Sequence, residues 1–395
     1  MCLGVEKTVG LFLSPFLPFP RTFGIFGKDC DRVIKNHTRV TKEKLHHKMK
    51  FVLATSIMTA ASAVNSEGFL NRLGAIGDQH KILHARASDP SDELFVHAPK
   101  FNGNLDDIPD EFDSATNPEW SACSKVIGDI RDQSNCGCCW AFGAASAASD
   151  RACISTNGTI ALPFSAQDTC FNAQRAGCNG GQLDTPWEFF KSTGVVTGTQ
   201  SLEDKADTPN DPFFGANLCS AYSLPHCHHH GPEGHGGDPY PSEGESGCES
   251  QTTPAGPTEC DSTAEQPHND FKSDKYSFKG TVEFYPNDVP TIQQAIMTAG
   301  PVETAFTVYE DFEDYEGGVY EHTTTTSVGG HAVRIVGWGT DDETGKDYWK
   351  VANSWNKYWG EDGYFRIIRG VNEGGIESQC VASSADSTWA KASEL

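Results

Sequence analysis

The feature that most constrains how this chain can fold is the group of cysteines between Cys123 and Cys380. Twelve of the 14 cysteines fall in that interval. A reduced cytosolic enzyme rarely carries so many, whereas proteins folded in an oxidising compartment use them to form disulfides. We therefore expect a disulfide-bonded domain made in the secretory pathway.

The net charge narrows the range of partners. The chain has 54 acidic and 30 basic residues, which gives a net charge of −24 at pH 7. Such a charge repels phosphate backbones and anionic lipid surfaces. In addition, no segment approaches the roughly 20 consecutive apolar residues of a membrane-spanning helix. We therefore expect neither nucleic acid nor a membrane among the partners.

A second indication of secretion starts at Met49. The sequence from there reads MKFVLATSIMTAASA, a lysine followed by a short apolar run that ends in small residues. This pattern is typical of a signal peptide that is cleaved after Ala63. We therefore interpret residues 49–63 as a signal peptide. Residues 1–48 are then an uncertain extension, which is absent if translation starts at Met49.

Composition divides the remainder of the chain. The alanine-rich stretch without proline from Cys139 to Cys153 predicts a helix that begins at or just before Cys139. Residues 219–269 are rich in Gly, Pro, His and Ser, which predicts a long surface loop. After Tyr276, short runs of Val, Ile and aromatic residues broken by Gly predict antiparallel strands. A helical first half and a strand-rich second half indicate an α+β chain, with a cleft between the halves.

The start of the predicted helix carries a candidate nucleophile. Residues 133–140 read QSNCGCCW and lead directly into the helix. A thiol at a helix N-terminus faces unpaired N–H groups and the positive end of the helix dipole, and both favour the thiolate. Cys139 is therefore a candidate nucleophile. The alternative is that Cys138 and Cys139 form a purely structural pair of neighbouring cysteines.

Two downstream motifs favour the nucleophile. They are a Gly-Gly-His sequence that ends at His331 and an Asn-Ser-Trp sequence that starts at Asn353. A cysteine peptidase needs an imidazole beside its thiol and an amide oxygen that holds this imidazole by its other nitrogen. His331 and Asn353 supply both groups. The separation of Cys139 from His331 exceeds the about 130 to 150 residues usual for this arrangement, and the long inserted loop explains the excess.

Together with Trp140-Ala-Phe-Gly143 and Cys178-Asn-Gly-Gly181, these motifs resemble the papain family of cysteine peptidases, and within it the cathepsin B-like subfamily. The resemblance runs from about Ile108 to the C-terminal region. It implies a papain-like α+β fold, with a helical N-terminal lobe, an antiparallel β-barrel-like C-terminal lobe and the active-site cleft between them. It also implies a peptidase domain over residues 108–395, preceded by a propeptide over residues 64–107.

The resemblance implies hydrolysis of peptide bonds through a thioester on Cys139, without a cofactor or a metal. The activity is expected to be mainly that of an endopeptidase, with some dipeptidyl carboxypeptidase activity. His331 is the implied base, Asn353 holds its imidazole, and Gln133 stabilises the oxyanion together with the backbone N–H of Cys139. The implied substrate-binding residues are Gly180, Gly181, Gly330, Trp355, Gln379, His229 and His230.

The expected partners are peptide and protein substrates, together with the chain's own propeptide as an inhibitor. Cleavage of the propeptide is expected between about Asn102 and Asp110, in a secreted or lysosomal (vacuolar) enzyme. Gln379 stands where the subfamily has a glutamate that pairs with an arginine of the substrate. Because Gln379 cannot supply that charge, we expect a preference for apolar residues two positions before the scissile bond.

Residues 219–260 correspond by the same resemblance to an occluding loop. His229 and His230 would receive the C-terminal carboxylate of a substrate, and Asp132 would anchor His229. The loop has no arginine, and Tyr358 replaces the aspartate that would hold one, so we expect the loop to close incompletely. The alternatives for this loop are a solvated segment and a metal site. The candidate metal ligands are His226, His228, His229, His230 and His235.

Four disulfides are implied by the resemblance. They are Cys123–Cys153, Cys136–Cys178, Cys219–Cys260 and Cys227–Cys248. Cys138, Cys170 and Cys380 are left over with Cys139, and Cys170 is an alternative partner for Cys260. Two other functions stay open, a non-catalytic binding protein with this fold and a secreted protein that buffers metal ions.

Overall fold

The computed structural model describes residues 73–75, 93–175, 177–200, 213, 216–229, 238–241 and 248–395. The predicted extension 1–48 and signal peptide 49–63 lie outside the described residues. No helix in the described ranges is both long enough and apolar enough to cross a membrane.

The described part of the chain contains five α-helices. They are α1 (Ser124–Ile127), α2 (Cys139–Ser155), α3 (Ala166–Asn172), α4 (Asp184–Ser192) and α5 (Val289–Ala299). Short 3-10 helices cover Leu105–Asp107, Pro118–Cys123, Glu373–Gly375 and Ala392–Glu394. Helix α2 begins at the predicted residue, and every residue from Cys139 to Cys153 is buried. Its small alanine side chains allow neighbours to pack on all its faces, as in a core helix.

The strands lie mainly in the second half of the chain, as predicted. They are β1 (Phe95–His97), β2 (Phe112–Asp113), β3 (Tyr276–Lys279), β4 (Val282–Phe284), β5 (Val302–Tyr309), β6 (Val319–Tyr320), β7 (Ser327–Thr340), β8 (Asp347–Ala352), β9 (Tyr364–Ile368), β10 (Val381–Ser383) and β11 (Thr388–Lys391). Nine strands form one sheet in the order β1-β4-β10-β5-β7-β8-β9-β6, with β2 paired to β7. The predicted strands around residues 332–338 and 348–352 are the antiparallel pair β7 and β8.

Strand β1 lies within the predicted propeptide and was not expected from the sequence. It pairs in parallel with β4, from Phe95 opposite Val282 to His97 opposite Phe284. The Phe95 ring is almost completely buried and stacks on Phe284, with ring centroids 5.3 Å apart. A run of three residues is too short to show a two-residue periodicity. Tertiary pairing therefore creates this strand.

Buried charges hold helix α2 against the sheet. Arg334 of β7 forms an ion pair with Asp150 of α2. Arg151 donates from Nε to the carbonyl oxygen of Pro301 at 2.8 Å and from Nη2 to that of Gly300 at 2.8 Å. Buried charged groups are tolerated when they are paired in this way. These contacts fix the C-terminal half of α2 relative to β7, which carries His331, and relative to the segment before β5.

Candidate active site

Backbone pairing brings together three segments that are distant in the sequence. Cys139 is the first residue of α2, His331 lies in β7, and Asn353 directly follows β8. The N–H of Gln133 donates to the carbonyl oxygen of Ser354 at 2.9 Å, which joins the segment before α2 to the segment after β8. The antiparallel pairing of β7 with β8 then places His331 and Asn353 side by side.

The imidazole of His331 contacts three side chains that orient it. Its Nε2 lies 2.8 Å from Oδ1 of Asn353. The Trp355 ring stacks on the imidazole with centroids 4.8 Å apart, and Trp355 is completely buried. Phe306 approaches the imidazole edge-on, with centroids 6.2 Å apart. These contacts orient the ring and exclude water from the hydrogen bond to Asn353.

The Cys139 thiol is not part of a disulfide and is completely buried. Its Sγ accepts a hydrogen bond from the N–H of Ala332 at 3.3 Å, so the thiol lies next to His331 in the sheet. A second N–H, that of Gly74, donates to the same sulfur at 3.2 Å. Gly74 belongs to the predicted propeptide, which therefore covers the thiol.

Covering the thiol changes its acidity. Burial raises the pKa of the Cys139 thiol to about 11, and the N–H groups of Ala332 and Gly74 oppose only part of this rise. We expected a thiolate here from the position at the helix N-terminus. Because a charged sulfur loses its hydration when it is covered, burial outweighs the helix terminus in this form of the chain.

Gln133 lies in the segment that leads to the start of α2. Its Nε2 donates to the carbonyl oxygen of Cys136 at 2.8 Å, and its Oε1 accepts from Oγ of Ser354 at 2.6 Å. The hydroxyl of Tyr222 donates to the Gln133 carbonyl oxygen at 2.8 Å. The side-chain amide is thus fixed in orientation, with its N–H₂ group turned towards the segment that leads to Cys139.

The segment Leu73–Ala75 lies between the two predicted substrate-binding edges. The N–H of Gly181 donates to the carbonyl oxygen of Gly74 at 2.6 Å, and the N–H of Ala75 donates to that of Gly330 at 3.2 Å. Ala75 is parallel to Gly181 and antiparallel to Gly330. Backbone hydrogen bonds to both edges are the way an extended peptide is held in a cleft.

Two glycines in this region have no room for a side chain. A Cβ built on Gly74 would lie 2.0 Å from the carbonyl oxygen of Gly137. A Cβ built on Gly181 would lie 2.4 Å from Cδ2 of Trp140. The N–H of Gly180, by contrast, donates to the carbonyl oxygen of Gly137 at 3.1 Å, in the turn before α2, and not to the segment Leu73–Ala75. Of the two predicted glycines, Gly181 is therefore the one whose N–H bonds to the predicted propeptide, at Gly74.

Asp132, the predicted loop anchor, is buried under the loop 219–260. Its Oδ1 lies 2.8 Å from Nε2 of His229, and its Oδ2 lies 3.3 Å from Nδ1 of His226 and accepts from the N–H of Cys227 at 3.1 Å. Burial alone would raise the pKa of Asp132, but the charges and hydrogen bonds of His229 and His226 outweigh it and hold this pKa well below its usual range. The anchor therefore engages two histidines rather than one.

The loop makes a further contact at Tyr358, which stands where the resemblance implies an aspartate. The Tyr240 ring meets Tyr358 edge-on, with centroids 5.9 Å apart, and stacks on His226 with centroids 4.6 Å apart. Asp238 lies 2.8 Å from Nδ1 of His228 and accepts from the N–H of Tyr240 at 2.8 Å. The predicted surface loop is thus buried at residues 226–229. His230 lies outside the described residues, so its predicted contact with substrate has no structural counterpart here.

The structure contains the four disulfides that the resemblance implies. They are Cys123–Cys153, Cys136–Cys178, Cys219–Cys260 and Cys227–Cys248. A fifth disulfide joins Cys138 to Cys170, two cysteines that we had left unpaired. The alternative pairing of Cys170 with Cys260 is therefore wrong, because Cys260 is bonded to Cys219. Cys380 has a thiol, which is buried.

Gln379 follows the 3-10 turn Glu373–Gly375, which packs against β5. Its Oε1 is buried and has no hydrogen-bond partner among the described residues. A Cβ built on Gly374, in the same turn, would lie 3.3 Å from the Phe306 ring, which contacts His331. The side chain at position 379 is thus uncharged, and it follows a turn that packs against Phe306.

Several contacts of the site were missed from the sequence. Ser354 orients Gln133 and could have been found, because it lies inside the Asn-Ser-Trp motif. Gly74 and Tyr240 could not, since a single glycine in a polar segment and a single tyrosine in a Gly- and Pro-rich loop carry no pattern. The site therefore includes residues that only tertiary structure reveals.

Comparison with known proteins agrees with this geometry. A profile of the papain family cysteine proteases matches residues 108–384. Cathepsin B-like cysteine proteinase 6 of Caenorhabditis elegans is 40% identical over 322 residues, which cover 81% of this chain and 76% of the relative. Cathepsin B-like cysteine proteinase of Schistosoma japonicum is 40% identical, over 79% of this chain and 84% of the relative.

A solved structure shows the same fold. Procathepsin B S9 of Trypanosoma congolense superimposes with a TM-score of 0.55 and 27% identity, covering 81% of this chain and 88% of the other. It is a proform, as expected for a chain whose thiol is covered by its own N-terminal segment. The match of the profile, the identity to the relatives and the α+β fold lead to one conclusion: this chain belongs to the papain family and is a cathepsin B-like cysteine peptidase.

Proposed function

We propose that this chain is the zymogen of a secreted or lysosomal peptidase in which Cys139 is the nucleophile and His331 the base. The observation that carries the proposal is that a thiol outside any disulfide, an imidazole held by Asn353 and a bound peptide segment meet at one place. A backbone N–H at 3.2 Å from the thiol shows that a peptide reaches the sulfur. The proposed boundaries are residues 49–63 for the signal peptide and 64–107 for the propeptide.

In the proposed reaction the Cys139 thiolate attacks the carbonyl carbon of the scissile peptide bond. The electron pair of the C=O double bond moves to oxygen, and this oxyanion accepts hydrogen bonds from Gln133 and from the backbone N–H of Cys139. The imidazolium of His331 gives its proton to the leaving nitrogen as the C–N bond breaks, which leaves a thioester. Water then attacks the thioester with His331 as base, which releases the acid and regenerates the thiolate.

The same contacts support inhibition by the propeptide. Gly74 and Ala75 occupy the positions between Gly181 and Gly330 where the backbone of a substrate would bind. The thiol is neutral in this covered state, because burial raises its pKa to about 11. Removal of the segment returns water to the sulfur and leaves the N–H groups at the start of α2 to favour the thiolate.

We further propose that the active enzyme is mainly an endopeptidase with some dipeptidyl carboxypeptidase activity. The histidine at position 229 is held by a buried carboxylate at the end of the cleft next to Gln133. A cation placed there suits the C-terminal carboxylate of a peptide. The endopeptidase share depends on how often the loop 219–260 leaves this position, which the absence of the subfamily's charged second anchor favours.

The test compares two neighbouring cysteines in the activated enzyme. Cys139→Ala should abolish both hydrolysis of an end-blocked peptide and labelling by a thiol-directed epoxide. Cys138→Ser, the matched control one residue away, should keep measurable hydrolysis and labelling. Loss of labelling in the Cys138 variant together with labelling of the Cys139 variant would show that the nucleophile is assigned to the wrong residue.

A further inference from the structure

The disulfide between Cys138 and Cys170 has no role in the function described so far. Its Cα atoms are 6.1 Å apart. Cys138 directly precedes α2, whereas Cys170 lies within α3, and both residues are completely buried. The bond therefore ties the residue next to the nucleophile to a neighbouring helix.

A second disulfide is formed by Cys136, two residues before Cys138. Cys136 is bonded to Cys178, so that Gly137 lies between two cross-linked residues. The N–H of Gly137 donates to the carbonyl oxygen of Cys178 at 2.9 Å. Glycine has more backbone freedom than any other residue. The two disulfides remove this freedom from the turn 136–138.

This turn carries the oxyanion donors. The carbonyl group of Cys138 and the N–H of Cys139 belong to one planar peptide group. The carbonyl oxygen of that group accepts from the N–H of Ala141 at 2.9 Å, in the first turn of α2. The side chain of Gln133 donates to the carbonyl oxygen of Cys136 at 2.8 Å. Both proposed donors are thus attached to the turn that the disulfides fix.

The Cys138–Cys170 disulfide packs against Gly177, where the absence of a side chain leaves room for it. A Cβ built on Gly177 would lie 2.8 Å from Sγ of Cys170 and 2.5 Å from its carbonyl oxygen. The carbonyl oxygen of Gly177 accepts from Nε1 of Trp140 at 3.2 Å. The disulfide, the start of α2 and the segment that leads to Gly181 therefore pack as one unit.

We propose that the Cys138–Cys170 disulfide is a positioning element of the oxyanion site, which holds the peptide group between Cys138 and Cys139 at the angle that the transition state requires. The inference rests on the proposed function. Hydrogen bonds to the oxyanion gain strength as the carbonyl oxygen gains charge, so a tilted donor lowers kcat and leaves KM nearly unchanged. Removal of a whole donor lowers kcat by about 10²- to 10³-fold, and a tilted donor keeps part of its effect, so we expect a loss of about tenfold.

The test replaces both cysteines and uses another disulfide of the same helix as the control. The variant is Cys138→Ser with Cys170→Ser. The control is Cys123→Ser with Cys153→Ser, which removes the bond at the far end of α2. The two bonds span 32 and 30 residues, so their removal relaxes the unfolded chain by similar amounts. A purely structural role would therefore affect both variants alike.

Two measurements separate positioning from stability. The first is kcat and KM for an end-blocked peptide with each activated variant. The second is the inhibition constant of a peptide aldehyde, to whose carbonyl carbon the Cys139 sulfur adds while the oxygen takes a proton and lies where the oxyanion forms. We expect the variant to lose about tenfold in kcat and a similar factor in aldehyde affinity, with KM within about twofold of wild type. The control should lose neither, although its melting temperature falls.

Equal kcat and aldehyde affinity in the variant and the control would overturn the inference, as would a change confined to KM. An inactive wild type would instead contradict the proposed function. If the serine variant does not fold, Cys138→Ala with Cys170→Ala tests the same bond with side chains suited to the apolar interior. Failure of both variants to fold, while the control folds, would show that the bond is required for folding and would also overturn the positioning role.

Discussion

The ring of Tyr240 meets the ring of Tyr358 edge-on, with centroids 5.9 Å apart, and Tyr358 stands where the resemblance to the subfamily implies an aspartate. We expected a loop without a second anchor, because Tyr358 replaces an aspartate. The structure instead shows an aromatic contact between the loop and the segment that follows Trp355. Edge-to-face aromatic pairs contribute about 0.5–1.5 kcal/mol beyond burial of their surface. This contact contains no charge, in contrast to the pair of Asp132 with His229.

The two anchors should respond differently to pH. Tyr358→Ala should raise the ratio of endopeptidase to dipeptidyl carboxypeptidase activity by about fivefold at every pH, since it removes about 1 kcal/mol of uncharged contact. His229→Ala should raise the same ratio mainly in acid, where an imidazolium can pair with Asp132. The carboxylate does not limit the acidic side, because the pKa of Asp132 is held well below its usual range by His229 and His226 against the effect of burial.

The measurement is the ratio of cleavage of an end-blocked peptide to C-terminal dipeptide release between pH 4 and 8. Tyr348→Ala, in β8 and away from the loop, is the matched control for loss of a tyrosine. An unchanged ratio in both the Tyr358 and the His229 variants would remove the loop from exopeptidase activity.

The contact between Gly74 and Gly137 predicts how latency can be broken. A Cβ on Gly74 would lie 2.0 Å from the carbonyl oxygen of Gly137, so Gly74→Val forces the propeptide away from the sulfur. The zymogen should then react with a thiol-directed epoxide at least about tenfold faster than wild type, since burial no longer holds the pKa of Cys139 at about 11.

The measurement is the rate at which the epoxide labels the zymogen whose propeptide is still intact. The matched control is Gly103→Val, in the predicted propeptide but remote from the thiol, which should stay latent. If Gly74→Val labels as slowly as wild type, the propeptide does not cover the thiol through this glycine.

The sequence predicted the α+β fold and the family because those predictions depend on local patterns. The helix from Cys139 is indicated by its alanine content, and the strands around His331 by their Val, Ile and aromatic residues, so both signals are local. The proximity of Cys139, His331, Asn353 and Gln133 follows from motifs whose order is fixed in the family. The structure brings these four residues together, although their catalytic roles stay predictions.

Other features depend on contacts that no local pattern shows. The Cys138–Cys170 bond could not be chosen from twelve cysteines, because spacing leaves the connectivity open. Tyr240 lies in a loop without periodicity, and its role depends on Tyr358 more than a hundred residues later in the chain. Strand β1 exists because β4 offers an edge for pairing. Tertiary contacts decide each of these features.

Position 379 predicts the substrate preference two residues before the scissile bond. Gln379 offers a buried amide oxygen and no charge, so a guanidinium would lose its hydration without gaining a carboxylate partner. Phe or Leu at that substrate position should be preferred over Arg by about tenfold in kcat/KM. Gln379→Glu should reverse part of this preference.

The measurement is kcat/KM for two end-blocked peptides that differ only in Arg or Phe at that position. Gln379→Ala is the control, because it adds space without adding charge and should leave Arg disfavoured. Equal turnover of both peptides by wild type would show that position 379 does not set the preference.

The last prediction concerns Glu303, a completely buried residue of β5. Its Oε2 accepts from Nε1 of Trp187 at 2.7 Å, and its Oε1 has no partner among the described residues. Burial raises the pKa of Glu303 well above its usual range, the hydrogen bond from Trp187 opposes this rise, and the charge of Asp184 adds to it. The native chain therefore holds a proton that an unfolded glutamate, with a pKa of about 4.3, releases. Stability from this group is complete below about pH 4 and is lost as pH rises towards the native pKa, with a slope of at most about 1.4 kcal/mol per pH unit.

Glu303→Gln keeps the size and the acceptor for Trp187 but cannot ionise. We expect the free energy of unfolding of this variant to match wild type near pH 4 and to exceed it increasingly up to pH 7.5. Urea unfolding of both proteins in a Cys139→Ala background, which prevents self-cleavage, measures the difference.

Glu377→Gln is the matched control. Glu377 also accepts from a tryptophan, Trp349, at 2.9 Å, but it accepts in addition from the N–H groups of Gly370 and Asn372. Removing its charge should weaken those bonds and should not stabilise the chain at neutral pH. A pH slope that is the same in wild type and Glu303→Gln would mean that Glu303 does not bind the extra proton.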